Sequence, residues 1–208
     1  MSFPSQEKSV FKQASDKRNE ATIASAYFKS RYWEYEIAYK EAGDRLVKEA
    51  IEGDSLFLSV SVYPITFLYR QFIELYLKDL IRRFVPLSKN QNGLSGSHDL
   101  YALWHCLLDY IKANIHCYPR IIRDRGIFDI LIGTDAYIAE LSAVDRKSMA
   151  FRYPDDKRHE NDFFKNEVPI DLINLKDRIE ELANFLCTME EYFAYNRQLE
   201  DEAQNDML

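Results

Sequence analysis

Glycine and proline are scarce, with six of each among 208 residues. Antiparallel sheets turn on such residues, so their scarcity excludes a hairpin-rich β fold and leaves long helices with few connections. Cysteine is scarcer still. Cys106, Cys117 and Cys187 are widely spaced and odd in number, which fits neither a disulfide framework nor a zinc site. Each is expected to fill space in a helix packing face. No apolar run reaches the roughly 18 residues of a membrane span, and the N-terminus lacks the basic-then-apolar order of a secretory signal. A cytoplasmic setting without a membrane partner is expected. Also missing are a phosphate-binding glycine loop, a dinucleotide fingerprint, metal-type His/Cys spacing and a nucleophile elbow. No cofactor and no metal ligand are therefore expected. Net positive charge is lacking too: the formal charge is -7 and the pI about 5.2. That disfavours a general nucleic-acid coat, which needs clustered Lys and Arg, but allows a local basic site.

What is present is an apolar share of 47%, enough for a sizeable core, arranged with helical period. Residues 1–18 are unpatterned and read as a loose arm. Residues 19–53 read as an N-terminal helical extension, with Ala24, Phe28, Trp33, Ile37, Leu46 and Ala50 at helical spacing and Gly43 a point of division. Asp54 or Ser55 is placed to cap the next helix. Pro64 is expected to start the main helix, because proline donates no N–H and clashes with the turn before it. In that helix Ile65, Leu68, Phe72 and Leu75 form one stripe, and Arg70, Glu74, Lys78 and Arg82 a second, alternating in charge. Residues 86–97 read as a loop, with Ser97 capping a helix that carries Leu100, Leu103, Trp104, Leu107, Leu108, Ile111 and Ile115 on one face. A short helix is expected around residues 121–131, broken at Gly126, and another from a Thr134 cap to about Asp145. Pro154 ends or bends the next segment, and a charged connection follows. In the last helix Leu172, Leu175, Ile179, Leu182, Leu186, Met189 and Phe193 form a heptad seam that needs a partner helix. Residues 198–208 are an acidic tail expected to fray. Four main helices make an all-α up-and-down bundle over residues 54–197 the simplest architecture.

Three local patterns bear on chemistry. On the proline-led helix, Arg70 or Lys78 faces either a salt-bridged core edge or a ligand phosphate. At His98-Asp99, the first helical turn favours the carboxylate, and His98 is either a packing residue or a hydrogen-bonding site residue. In Phe151-Arg-Tyr-Pro-Asp-Asp-Lys-Arg-His159, Arg152 precedes His159 with Lys157 and Arg158 between them. Metal-free phosphodiester cleavage needs a proton-transfer group, which histidine supplies, and a cation for the crowded phosphate, which arginine supplies. The alternative is a structural Arg152 and a solvated His159.

Together these patterns resemble the HEPN superfamily (higher eukaryotes and prokaryotes nucleotide-binding domains). The carriers are Glu74-Leu-Tyr-Leu-Lys78 on the proline-led helix, Ser97-His-Asp-Leu100 with Leu103-Trp104, and Ser148-Met-Ala-Phe-Arg-Tyr-Pro154. The last is similar to a motif of one bacterial branch. The resemblance spans about residues 54–193. It implies a helical bundle that usually forms a homodimer, and in many members a metal-independent endoribonuclease of toxin–antitoxin, phage-defence or RNA-processing type. Arg152 and His159 are then the catalytic pair, Lys157 and Arg158 steer the RNA backbone, and Tyr153 stacks on a base. Tyr153 stands where a polar residue commonly follows the arginine, Pro154 interrupts the motif, and Asp155 and Asp156 add negative charge. Other members are noncatalytic and bind a nucleotide, a nucleotidyltransferase partner or another protein such as an antitoxin. An interaction module would use the heptad seam or the aromatic Tyr27, Phe28, Tyr32, Trp33, Tyr35 and Tyr39. A nucleotide site would use Arg70, Lys78 and His98.

Overall fold

The computed structural model describes Asp16, Arg18, Ala21, residues 31–86, 97–114 and 126–156, Arg158, and residues 160–205. Met1–Arg31 and Tyr32–Leu208 are separate compact units. In the first, the Asp16 carboxylate pairs with Arg18 at 2.8 Å. The second is an all-α bundle, and the described residues hold five helices: α1 (Arg31–Glu52), α2 (Ser55–Phe84), α3 (Leu100–Ala113), α4 (Ile127–Val144) and α5 (Leu172–Asn205).

Gly43 lies inside α1 rather than dividing it. A Cβ there would meet the Tyr69 ring at 2.7 Å, so the glycine lets two backbones approach. α1 and α2 part at Gly53-Asp54, where the Asp54 carboxylate accepts from Phe57 N at 2.7 Å, closing one of the first-turn donors. α2 does not start at Pro64 but runs through it. The ring sits on an exposed face, and the residue whose carbonyl loses its helical donor, Val60, is exposed as well. Water can satisfy that carbonyl, so the proline is tolerated.

The N-cap of α3 is Asp99, not Ser97: its carboxylate accepts from Tyr101 N and Ala102 N, while Ser97 Oγ accepts from Asp99 N. His98 and Asp99 thus precede the helix. Gly126, with φ of 77°, starts α4. Thr134 is a buried interior position of α4, on the face of Ile127, Leu131, Ile138 and Ser142. α5 continues through the acidic stretch to Asn205.

Side-chain contacts order the helices. Arg82 lies over the Tyr32 ring, and Tyr69 donates to Asp44, so α1 runs against α2. The start of α3 meets the middle of α2 through Arg70 and His98, and its end shares Phe193 with Phe84. α2 and α3 therefore run in the same sense. Trp104–Asp135 and Asp99–Arg146 set α4 against α3. Lys40–Glu180 sets α5 against α1, and Arg83–Glu190 sets it against α2. The heptad seam is buried in this core, with Leu175 packed at its edge, so the chain's own helices cover it. α2 is also the described helix long and apolar enough by composition to cross a membrane, although its residues from Ile65 onward supply much of the core.

Candidate functional site

Positions four apart share one helix face, so Arg70, Glu74 and Lys78 form one row on α2. The row is a buried knot. Arg70 and Glu74 are almost inaccessible, and Arg70 Nη1 donates to Glu74 Oε2 at 3.0 Å. Arg70 Nε donates to the Asp145 carbonyl at 2.9 Å, and Nη2 to the His98 carbonyl. Each guanidinium nitrogen thus has an acceptor inside the protein, and Arg70 clasps the start of α3 to the end of α4. Lys78 Nζ donates to Glu74 Oε1 at 2.8 Å and is largely buried. The same oxygen meets His98 Nδ1 at 2.8 Å. Burial acts to raise the Glu74 pKa, but the bonds from Lys78 and His98 outweigh it and hold the carboxyl below its ordinary value. The His98 side chain, in contrast, is 58% exposed.

Asp145 carries the knot into the next segment. Its Oδ1 accepts from Met149 N at 2.7 Å and Ala150 N at 3.1 Å. Ser148 takes the left-handed φ of 58°, uncommon for a residue with a Cβ. The reversal lets the Ser148 carbonyl accept from Arg152 Nε. Arg152 Nη2 lies 3.4 Å from Met149 Sδ, and the guanidinium carbon lies 5.7 Å from the ring centroids of both Phe67 and Tyr153. Arg152 and Tyr153 are exposed while Phe151 is buried against Phe164. Among the described residues no carboxylate forms an ion pair with Arg152.

Beyond Pro154 the chain folds back on itself. Phe163 N donates to the Pro154 carbonyl, and Asp156 N to the Asn161 carbonyl. The Asp156 carboxylate accepts from Asn161 Nδ2, Glu160 N and Arg158 N. These bonds, that from Asn161 first, hold its pKa below the ordinary value. Asp156 is thus the organiser of this loop, and Arg158 is exposed on it. Lys157 and His159 lie outside the described residues.

The sequence-predicted residues therefore divide. Arg70, Lys78 and His98 come together on Glu74, while Arg152 and Tyr153 sit on the adjoining turn that Asp145 organises. Asp145 as organiser and Phe67 beneath Arg152 escaped the sequence, which had placed Glu74 in the charged row. The four-residue spacing signalled Glu74, whereas nothing local signalled Asp145. Comparison with known proteins returns no matching family model, no matching curated protein and no matching solved structure.

Proposed function

We propose that this chain is an RNA-directed, HEPN-like protein of the cytoplasm, working as a metal-independent endoribonuclease of toxin or phage-defence type. The carrying observation is Arg152. It is exposed, steered by a backbone carbonyl and free of a carboxylate partner among the described residues. Such a fork of donors is available to a phosphate, and exposed Tyr153 beside it is available to a base. In this reading Arg152 stabilises the phosphorane and His159 moves a proton at the attacking 2′-hydroxyl or the leaving oxygen. Lys157 and Arg158 guide the backbone. The test is incubation with mixed RNA in EDTA, beside Arg152→Ala and His159→Ala. Cleavage by the parent that both variants lose is expected. No cleavage by folded parent protein, or equal cleavage by all three, overturns the reading.

A second reading, a noncatalytic interaction module, draws on the start of α2. Leu56, Leu58 and Val60 are exposed there, and no charged residue lies between Asp54 and Arg70. Leu56 and Val60, four apart, share one helix face, and exposed apolar surface of this kind marks contact sites. A second copy, as the resemblance implies, or a heterologous protein would bury it. Light scattering of the parent beside Val60→Glu tests the self-association branch, with a dimer converted to monomer expected.

A further inference from the structure

His98 presents a combination that packing alone does not require. Its ring is more than half exposed, yet both ends of the residue are fixed. The carbonyl accepts from Arg70, and Nδ1 lies 2.8 Å from Glu74 Oε1. Glu74 is itself immobilised by Arg70 and Lys78. A carboxylate only accepts hydrogen bonds, so Nδ1 must carry the proton. The neutral ring then has its lone pair on Nε2. That nitrogen has no hydrogen-bond partner among the described residues and belongs to the exposed side chain. An imidazole oriented by a buried carboxylate, on a side chain more than half exposed, has the arrangement of a general base. The other described imidazole differs: His105 Nε2 is inaccessible and 3.3 Å from Asp135 Oδ1, and its ring packs edge-on against Tyr101. The knot also ties His98 to the arginine turn, because Arg70 bonds the carbonyls of both His98 and Asp145, and Asp145 caps the segment that presents Arg152.

Resting on the ribonuclease reading, we propose that His98 is a catalytic base for RNA transesterification, oriented by Glu74. Nε2 takes the proton of a ribose 2′-hydroxyl as its oxygen attacks phosphorus. The P–O5′ bond breaks, leaving a 2′,3′-cyclic phosphate, and the departing 5′-oxygen takes the proton that His159 supplies in the ribonuclease reading. The imidazolium, stabilised by Glu74, returns its proton to solvent. No oxidant, reductant or cofactor enters the balance.

The discriminating variant is His98→Asn. Its amide nitrogen can keep the donor to Glu74 where Nδ1 stood, so the knot is retained while the ring nitrogen that would act as base is lost. Cleavage of a fluorescent RNA in EDTA is measured against pH for the parent, His98→Asn and His159→Gln. Thermal melting of each protein and its affinity for an uncleavable 2′-O-methyl oligonucleotide are followed alongside. The expected result is a loss of about 100-fold or more in rate for His98→Asn, with unchanged melting and affinity, and loss of the parent's imidazole-dependent rise in rate with pH. Parent rate and pH profile retained in His98→Asn would overturn the assignment while leaving the ribonuclease reading intact. Absence of cleavage by the parent would overturn both. If His98→Asn melts lower, His98→Gln is measured in its place under the same criteria.

Discussion

Glu74 is a buried anion with three basic partners, and its removal is a test at the scale of one residue. Breaking a buried ion pair by deleting one member strands the other, at a cost of about 3–5 kcal/mol. Glu74→Ala takes the carboxylate from Lys78 and leaves Arg70 only the Asp145 Oδ2 at 3.9 Å, so a loss of stability toward the lower end of that range is expected from urea denaturation. A change below about 1 kcal/mol would show that the knot is incidental to stability. Gly43 offers the opposite case, an addition where no space exists. The Cβ of Gly43→Ala would lie 2.7 Å from a ring carbon of Tyr69. Tyr69 is buried and its hydroxyl is committed to Asp44 at 2.7 Å, so the ring cannot simply swing aside. A cost of about 1–3 kcal/mol is expected, read from the shift in thermal melting, although alanine is the better helix former.

At the scale of the element, the caps explain where helices start and α2 explains where one need not. Asp99 caps α3 and also receives Arg146 Nε at 2.9 Å. Burial acts to raise its pKa, but the Arg146 bond and the two backbone N–H groups hold it below its ordinary value. Asp99→Ala is expected to cost about 0.5–2 kcal/mol, measured by chemical denaturation, while Asp99→Asn retains most of the cap. The faces of α3 and α5 were legible because strict periodicity in a long helix leaves one side to bury. The continuity of α2 was not legible, since whether Pro64 breaks a helix depends on which way its ring and the freed carbonyl face. Gly43 was misread for a related reason: a glycine that admits a neighbouring ring looks, in sequence, like one that ends a helix. The site divides in the same way. The row Arg70, Glu74, Lys78 follows from spacing, but its burial does not. Asp145 was invisible because it meets Arg70 across 75 positions of chain, and no local pattern encodes such a contact.

At the scale of the molecule, charge on three helices converges around Glu36. It is buried on α1, and its Oε1 has no hydrogen-bond partner among the described residues. Burial, reinforced by Asp79 of α2 and Glu190 of α5, pushes its pKa up to about 7, against the opposing pull of Arg83 and Arg82. Asp79 is engaged by Arg82 and Arg83, and Glu190 by Arg83 and Tyr76, so neither carboxylate leaves a cation to spare for Glu36. The folded state therefore holds a proton on Glu36 that the unfolded chain releases in the ordinary carboxylate range. A state that binds more protons gains from acid. The contribution of Glu36 to stability is thus complete below that range and lost as pH rises through about 7. Glu74 and Asp99 have lowered values and act in the opposite direction, their contribution disappearing as the solution becomes strongly acidic. The two windows are separate, so one substitution can isolate the neutral one. Glu36→Gln keeps the shape and neutral charge of the protonated acid. Urea denaturation from about pH 5 to about pH 8 is expected to show the parent losing stability with rising pH and the variant losing markedly less. Parallel curves would mean that Glu36 already has a compensating cation in the folded protein, and the packing of α1 against α2 and α5 would then be insensitive to pH in this range.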